Sequence, residues 1–84
     1  MSFETLHFGL NKPLLIIKGT QGFLACGYIN VDTCNVTEDA CAIVKGVSSF
    51  DDMKKATVVA VSVAAANLGI KVGDSGEQAL NLLV

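Results

Sequence analysis

The order of patterned segments predicts an α+β fold. It is read as an antiparallel β-sheet of about four strands in the N-terminal half, with helices from the C-terminal half packed on one face. Three observations carry this. Short apolar runs bounded by glycine and proline fill the chain from Phe3 to Val44. From Ser49 onward the pattern changes to serine caps, acids at the start of a segment and lysines at its end. The 84 residues suffice for one small domain, taken as residues 1–84.

Taken in order, Phe3 to Phe8 reads as a first strand, and Gly9-Leu10-Asn11-Lys12-Pro13 as a turn punctuated by glycine and proline. Leu14-Leu15-Ile16-Ile17 is too short for a helix and reads as a central strand buried on both faces. Gly19-Thr20-Gln21-Gly22 is a hairpin connection leading into an antiparallel strand from Phe23 to Tyr28. Ile29 to Thr37 is rich in Asn, Asp and Thr, which favour caps and turns, and reads as one helical turn followed by a loop. Ala40 to Val44 is a further strand ended by Gly46. Ser49 caps a short helix through Lys55, with Asp51 and Asp52 in the first turn and Lys54 and Lys55 in the last, as the helix dipole favours. Val58 to Leu68 reads as a helix closed by Gly69. Ile70 to Val72 is a short extended piece. Ser75 and Gln78 form a capping box for a last helix, Glu77 to Leu83.

The Val58–Leu68 segment has only Ser62 and Asn67 as polar positions. A helix apolar on all sides must be buried, and one small sheet covers only one side of it. The expectation is a homo-oligomer through this helix.

Composition excludes several functions. There is no arginine, and the six lysines are dispersed in a chain of net charge −2, which argues against nucleic acid. The mean hydropathy is +0.53, yet the longest uncharged stretch, Ala56 to Ile70, is too short and too polar to span a membrane. The start, Met1-Ser2-Phe3-Glu4, has no charged-then-apolar leader pattern. The three cysteines, Cys26, Cys34 and Cys41, lack paired spacing; they read as free, buried thiols in a reducing compartment, hence a cytoplasmic protein. With the lone His7 they make four ligand types without metal-site spacing, so no metal and no cofactor are expected. His7 is taken as a sheet-face residue.

The best candidate for a ligand site is the end of the Phe23–Tyr28 strand. Gly22, Cys26, Gly27, Asn30, Asn35 and Asp39 are the candidate contacts: an open backbone, a thiol, amides and a carboxylate around one loop. A catalytic thiol needs a base or cation nearby, and nothing in the sequence fixes His7 beside Cys26. Gly73-Asp74-Ser75-Gly76 lacks the lysine and spacing of a phosphate loop and reads as a turn into a capped helix.

The run Lys18-Gly19, Gly22-Phe23, Cys26-Gly27-Tyr28-Ile29-Asn30 and Asn35, followed by Ala42 to Val47, Phe50 to Met53, Leu68 to Gly73 and Ser75 to Leu80, resembles one family. It is similar to the YunC-like uncharacterised proteins of bacteria and archaea, the domain-of-unknown-function family 1805, from about Pro13 onward. The resemblance implies a small α+β cytoplasmic protein and supplies no catalytic residue. The family-like pattern after the Cys-Gly-Tyr block reads Asn-Lys-x-Gly-Asp; here Asn35-Val36-Thr37-Glu38-Asp39 keeps the ends and replaces the lysine and glycine.

The expected function is a non-catalytic homo-oligomeric module that binds a small ligand or another protein. The alternatives are a small enzyme using Cys26 near Asn35 and Asp39, or a structural subunit of a larger complex.

Overall fold

The computed structural model describes residues 3–84. Five strands form one sheet in chain order: β1 (Glu4–Phe8), β2 (Leu14–Lys18), β3 (Phe23–Ala25), β4 (Cys41–Ile43) and β5 (Ala60–Val61). Four helices complete the α+β fold: α1 (Val31–Thr37), α2 (Phe50–Lys55), α3 (Val63–Asn67) and α4 (Gly76–Leu83). The pairs β1–β2 and β2–β3 are antiparallel, as their short turns dictate, and β4–β5 is antiparallel across the longer connection that carries α2. The β3–β4 pair is parallel, because α1 carries the chain back to the starting edge of the sheet. The expected single turn at Ile29–Thr37 is thus a seven-residue crossover helix.

The two faces of the sheet are covered differently. On the inner face Leu15, Ile17, Leu24, Ala42 and Val44 form one cluster with Met53 of α2 and Ala79, Leu80 and Leu83 of α4. On the outer face Ala25, Cys41 and Ile43 meet Cys34 of α1. Helix α1 reaches no further than this, so Leu14 and Ile16 of β2 stay half-buried rather than enclosed on both faces. All five residues of β1 are exposed. His7 is a sheet-face residue, its ring edge-on to Phe50 at 6.4 Å between centroids.

The expected Val58–Leu68 helix does not form. Val58, Val59 and Val61 are β-branched and extended, with β5 as an edge strand on β4. Ser62 then caps α3, its oxygen accepting from the Ala65 N–H at 3.2 Å. Gly69, at φ +99°, ends that helix as expected. The run is apolar because its alternate residues enter the core as a strand: Val58 is fully buried, whereas Val59 and Val63 are 44% and 64% exposed. No all-apolar helix is left needing a partner, so the argument for self-association through it lapses.

Ser62 is the one buried polar side chain among the described residues, at 1% exposure. Besides capping α3, its hydroxyl accepts the Cys41 N–H at 2.9 Å and donates to the Asp39 carbonyl at 2.8 Å.

The cysteines also differ from expectation. Cys34 and Cys41 are disulfide-bonded, with Cα atoms 6.4 Å apart, and Cys26 alone is free. A spacing of seven residues is unremarkable in sequence; the return of α1 onto β4 brings the thiols together. This pairing removes the free-thiol argument for a reducing compartment. No described helix is long and apolar enough to cross a membrane. The capping box of α4 is present, with Gln78 N–H on Ser75 Oγ at 3.1 Å and Ser75 N–H on Gln78 Oε1 at 2.8 Å.

Helix α1 ends on Glu38 at φ +63°, the one non-glycine residue at positive φ among those described. This is the position where the family-like pattern carries glycine.

Three stability measurements check this account. Replacing Ser62 by alanine leaves a buried N–H without its acceptor and uncaps α3; unfolding stability should fall by about 2–3 kcal/mol, against about 1 kcal/mol for Ser49→Ala at an exposed cap. In unreduced, denatured protein only Cys26 should react with a thiol reagent, and reduction of the bridge should lower stability by about 2 kcal/mol. Glu38→Gly should raise stability by about 1 kcal/mol, by relieving the left-handed backbone.

Candidate functional site

The site follows from the parallel pair. Two neighbouring parallel strands end at the same edge, and here the chain leaves them in opposite directions. From β3 it passes through Cys26, Gly27 and Tyr28 to α1 on the outer face; from β4 it passes through Val44 to Val47 toward α2 on the inner face. Such divergence opens a crevice beyond the carboxyl ends of the strands, where ligands of open α/β sheets bind. A cleft of ≈ 230 Å³ lies there. Its walls are Cys26, Gly27 and Tyr28 from β3, Lys45, Gly46 and Val47 from β4, and Lys12 and Pro13 from the β1–β2 turn.

Local bonding fixes the β3 exit. Cys26 N–H donates to the Leu15 carbonyl at 3.1 Å and Ile29 N–H to the Cys26 carbonyl at 3.2 Å. The stem of Lys45 lies over Gly27: a Cβ on Gly27 would sit 3.4 Å from Lys45 Cγ and 3.8 Å from Cε. Tyr28 is 49% exposed, so its ring flanks the cleft in solvent.

The structure divides the six candidate contacts read from the sequence. Cys26 and Gly27 line the cleft. Gly22 is packed against Ala40 and Leu83, in a space that admits no side chain. Asn30 caps α1, its Oδ1 accepting the Asp32 N–H at 2.7 Å. Asn35 Oδ1 accepts the Val63 N–H at 2.8 Å and so ties α1 to the start of α3. Asp39 Oδ2 accepts the Thr37 hydroxyl at 2.7 Å and borders a hollow on the outer face. The polar loop that looked like one binding surface is therefore mostly a set of backbone caps.

Cys26 shares the cleft with Lys12 and Lys45, but it is buried and no imidazole is placed beside it. The residue is 4% exposed, and its sulfur accepts the Leu15 N–H at 3.4 Å. His7, Leu15 and Cys26 fall in one row across β1, β2 and the end of β3, so Leu15 stands between the imidazole and the thiol. Asn35 and Asp39 are engaged elsewhere. Among the described residues no three His, Cys, Asp or Glu side chains gather to hold a metal ion.

Lys12, Pro13, Tyr28, Lys45 and Val47 were not among the candidates. The available signal was a pair of glycines, Gly27 and Gly46, each closely following an apolar strand; they mark two chain exits that become neighbours once the strands pair in parallel.

A family model described as a domain of unknown function, DUF1805, matches residues 25–83. The matched span takes in the cleft residues from Cys26 to Val47. The fold is similar to the crystal structure of a protein of unknown function from Thermoplasma acidophilum, with 34% identity, a TM-score of 0.86, and coverage of 99% of this chain and 92% of that one. That similarity extends to β1, β2 and the turn carrying Lys12. No curated protein matches the chain. With the family model spanning most of its length, the chain belongs to the DUF1805 family.

Proposed function

We propose that the protein is a non-catalytic, self-associating module that holds a small ligand in the cleft beyond β3 and β4. The observation that carries the reading is the position of that cleft, where the chain departs to opposite faces of the sheet and backbone, lysine and aromatic groups converge. The buried thiol, separated from the imidazole by Leu15, favours binding over catalysis.

The self-association is assigned to β1 and a second copy of the chain. This strand is an edge, exposed along its whole length, without the proline, lysine or bulge that usually guards one. Leu6 and Phe8 pair with Ile16 and Leu14, which places them on the outer face, and they are 41% and 57% exposed. Phe3 and Leu10 flank them, at 37% and 53%. The hollow of ≈ 620 Å³ beside Leu6, Ile16 and Phe23 continues this surface. Edge pairing with an identical strand satisfies the free backbone groups and covers the apolar side chains together.

Sedimentation at micromolar concentration should give a multiple of the 8.7 kDa chain mass. Leu6→Lys with Phe8→Lys should return a folded species of single-chain mass; a wild-type protein already of that mass would refute the assembly. For the ligand site, amide shifts in a titration with small ring compounds should gather at Gly27, Tyr28 and Gly46. Shifts confined to β1 would remove the cleft from the proposal.

A further inference from the structure

We infer that the cleft is built for a compact organic anion, with its carboxylate or phosphate held by Lys12 and Lys45 and its apolar body against Pro13, Val47 and the ring of Tyr28. The inference rests on the ligand-binding reading of this cleft and names the class of ligand.

Charge carries the first part. The chain is acidic overall, with six lysines against eight carboxylates. Yet two of those lysines line one small cleft, and no aspartate or glutamate lines it. Among the described residues the one ion pair is Lys18 with Glu4, at 3.8 Å, at the end of β2 away from the cleft. Lys12 and Lys45 therefore carry charge that no carboxylate of the described chain neutralises. Uncompensated charge of one sign in a concave site attracts a ligand of the opposite sign. The aliphatic stem of Lys45 is laid along Gly27 at the cleft wall, with its charged end exposed.

The backbone carries the second part. The bonds that fix the β3 exit use the N–H groups of Cys26 and Ile29. The intervening N–H groups of Gly27 and Tyr28 have no partner among the described hydrogen bonds. Donors of this kind beside a cation suit an oxyanion.

Size and wall chemistry carry the third. A volume of ≈ 230 Å³ falls below the roughly 300–1,000 Å³ of drug-sized sites, so the fit is a single ring or short chain. Pro13, Val47, the Cys26 surface and the Tyr28 face are apolar and would be wasted on a bare inorganic ion. Two lysines without arginine make point-charge contacts, suited to one anionic group rather than to a nucleic-acid backbone.

The test is a set of amide-shift titrations of the full chain with phenyl phosphate, benzoate and neutral benzyl alcohol. The two anions should saturate with shifts at Gly27, Tyr28 and Gly46, about tenfold or more tighter than benzyl alcohol. Lys45→Gln and Lys12→Gln, both at exposed side chains, should each weaken phenyl phosphate about five- to tenfold and leave benzyl alcohol unchanged. Raising salt from about 0.02 M to about 0.3 M should weaken only the anions. Equal binding of benzyl alcohol and the anions at the same amides would overturn the anion class while leaving a ligand cleft in place. Anion binding that survives both lysine variants would overturn it too. An absence of shifts at these amides with every probe would overturn the ligand-binding reading as well.

Discussion

One hydroxyl joins the two halves of this fold. Ser62 Oγ accepts from Cys41 of β4 and from Ala65 of α3, and donates to the carbonyl of Asp39 in the loop after α1. Its own N–H donates to the Cys41 carbonyl at 2.9 Å. A single residue thus ends an edge strand, begins a helix and pins the crossover that makes β3 and β4 parallel. It can do so inside the core because each polar atom is matched there; a buried hydroxyl without these partners would oppose folding. The constraint also explains an otherwise odd composition. A run that is nearly all Val and Ala needs one polar residue to divide strand from helix, and Ser62 stands at that division.

The parallel pair is held from both sides. Inner-face packing of Leu24, Ala42 and Val44 against α2 and α4 fixes the strands as a hydrophobic layer. On the outer face the Cys34–Cys41 bridge fastens α1 to β4 beside Ala25 and Ile43. With α1 fastened on one side and α2 on the other, the two exits cannot close over each other. The cleft is a geometric consequence of that divergence, which is why it recruits residues from three separate segments.

Much of this was legible in the sequence, and the failures have physical reasons. Glycine and proline punctuation located β1 to β4, and Ser49, Ser75 and Gln78 marked α2 and α4, because these signals act over a few residues. The Val58–Leu68 segment failed because two signals conflict there. Alanine density favours helix, β-branching favours strand, and only tertiary pairing with β4 decides. The disulfide and the parallel pairing depend on where α1 returns, a long-range fact that residue spacing does not contain. Asn30 and Asn35 looked like a ligand surface because residues that bind small molecules are also those that satisfy helix N-termini, and Asp39 is engaged by the Thr37 hydroxyl. Lys12 and Lys45 looked dispersed because distance along the chain says nothing of distance across a sheet.

The β1 edge and the cleft are not independent. Lys12 and Pro13 belong to the turn that joins β1 to β2, so whatever immobilises β1 also immobilises one wall of the cleft. In a single chain that turn is held on one side only, by the β1–β2 pairing that runs up to Phe8 and Leu14, and any residual freedom lost on binding opposes affinity. Were β1 paired with a second copy as proposed, the turn would be held on both sides before a ligand arrived. Linkage would then run both ways, assembly tightening the proposed ligand and the ligand tightening assembly by the same factor. The exposed apolar strand and the charged cleft, which look like unrelated features of a small domain, are in this way two ends of one short segment, Glu4 to Pro13.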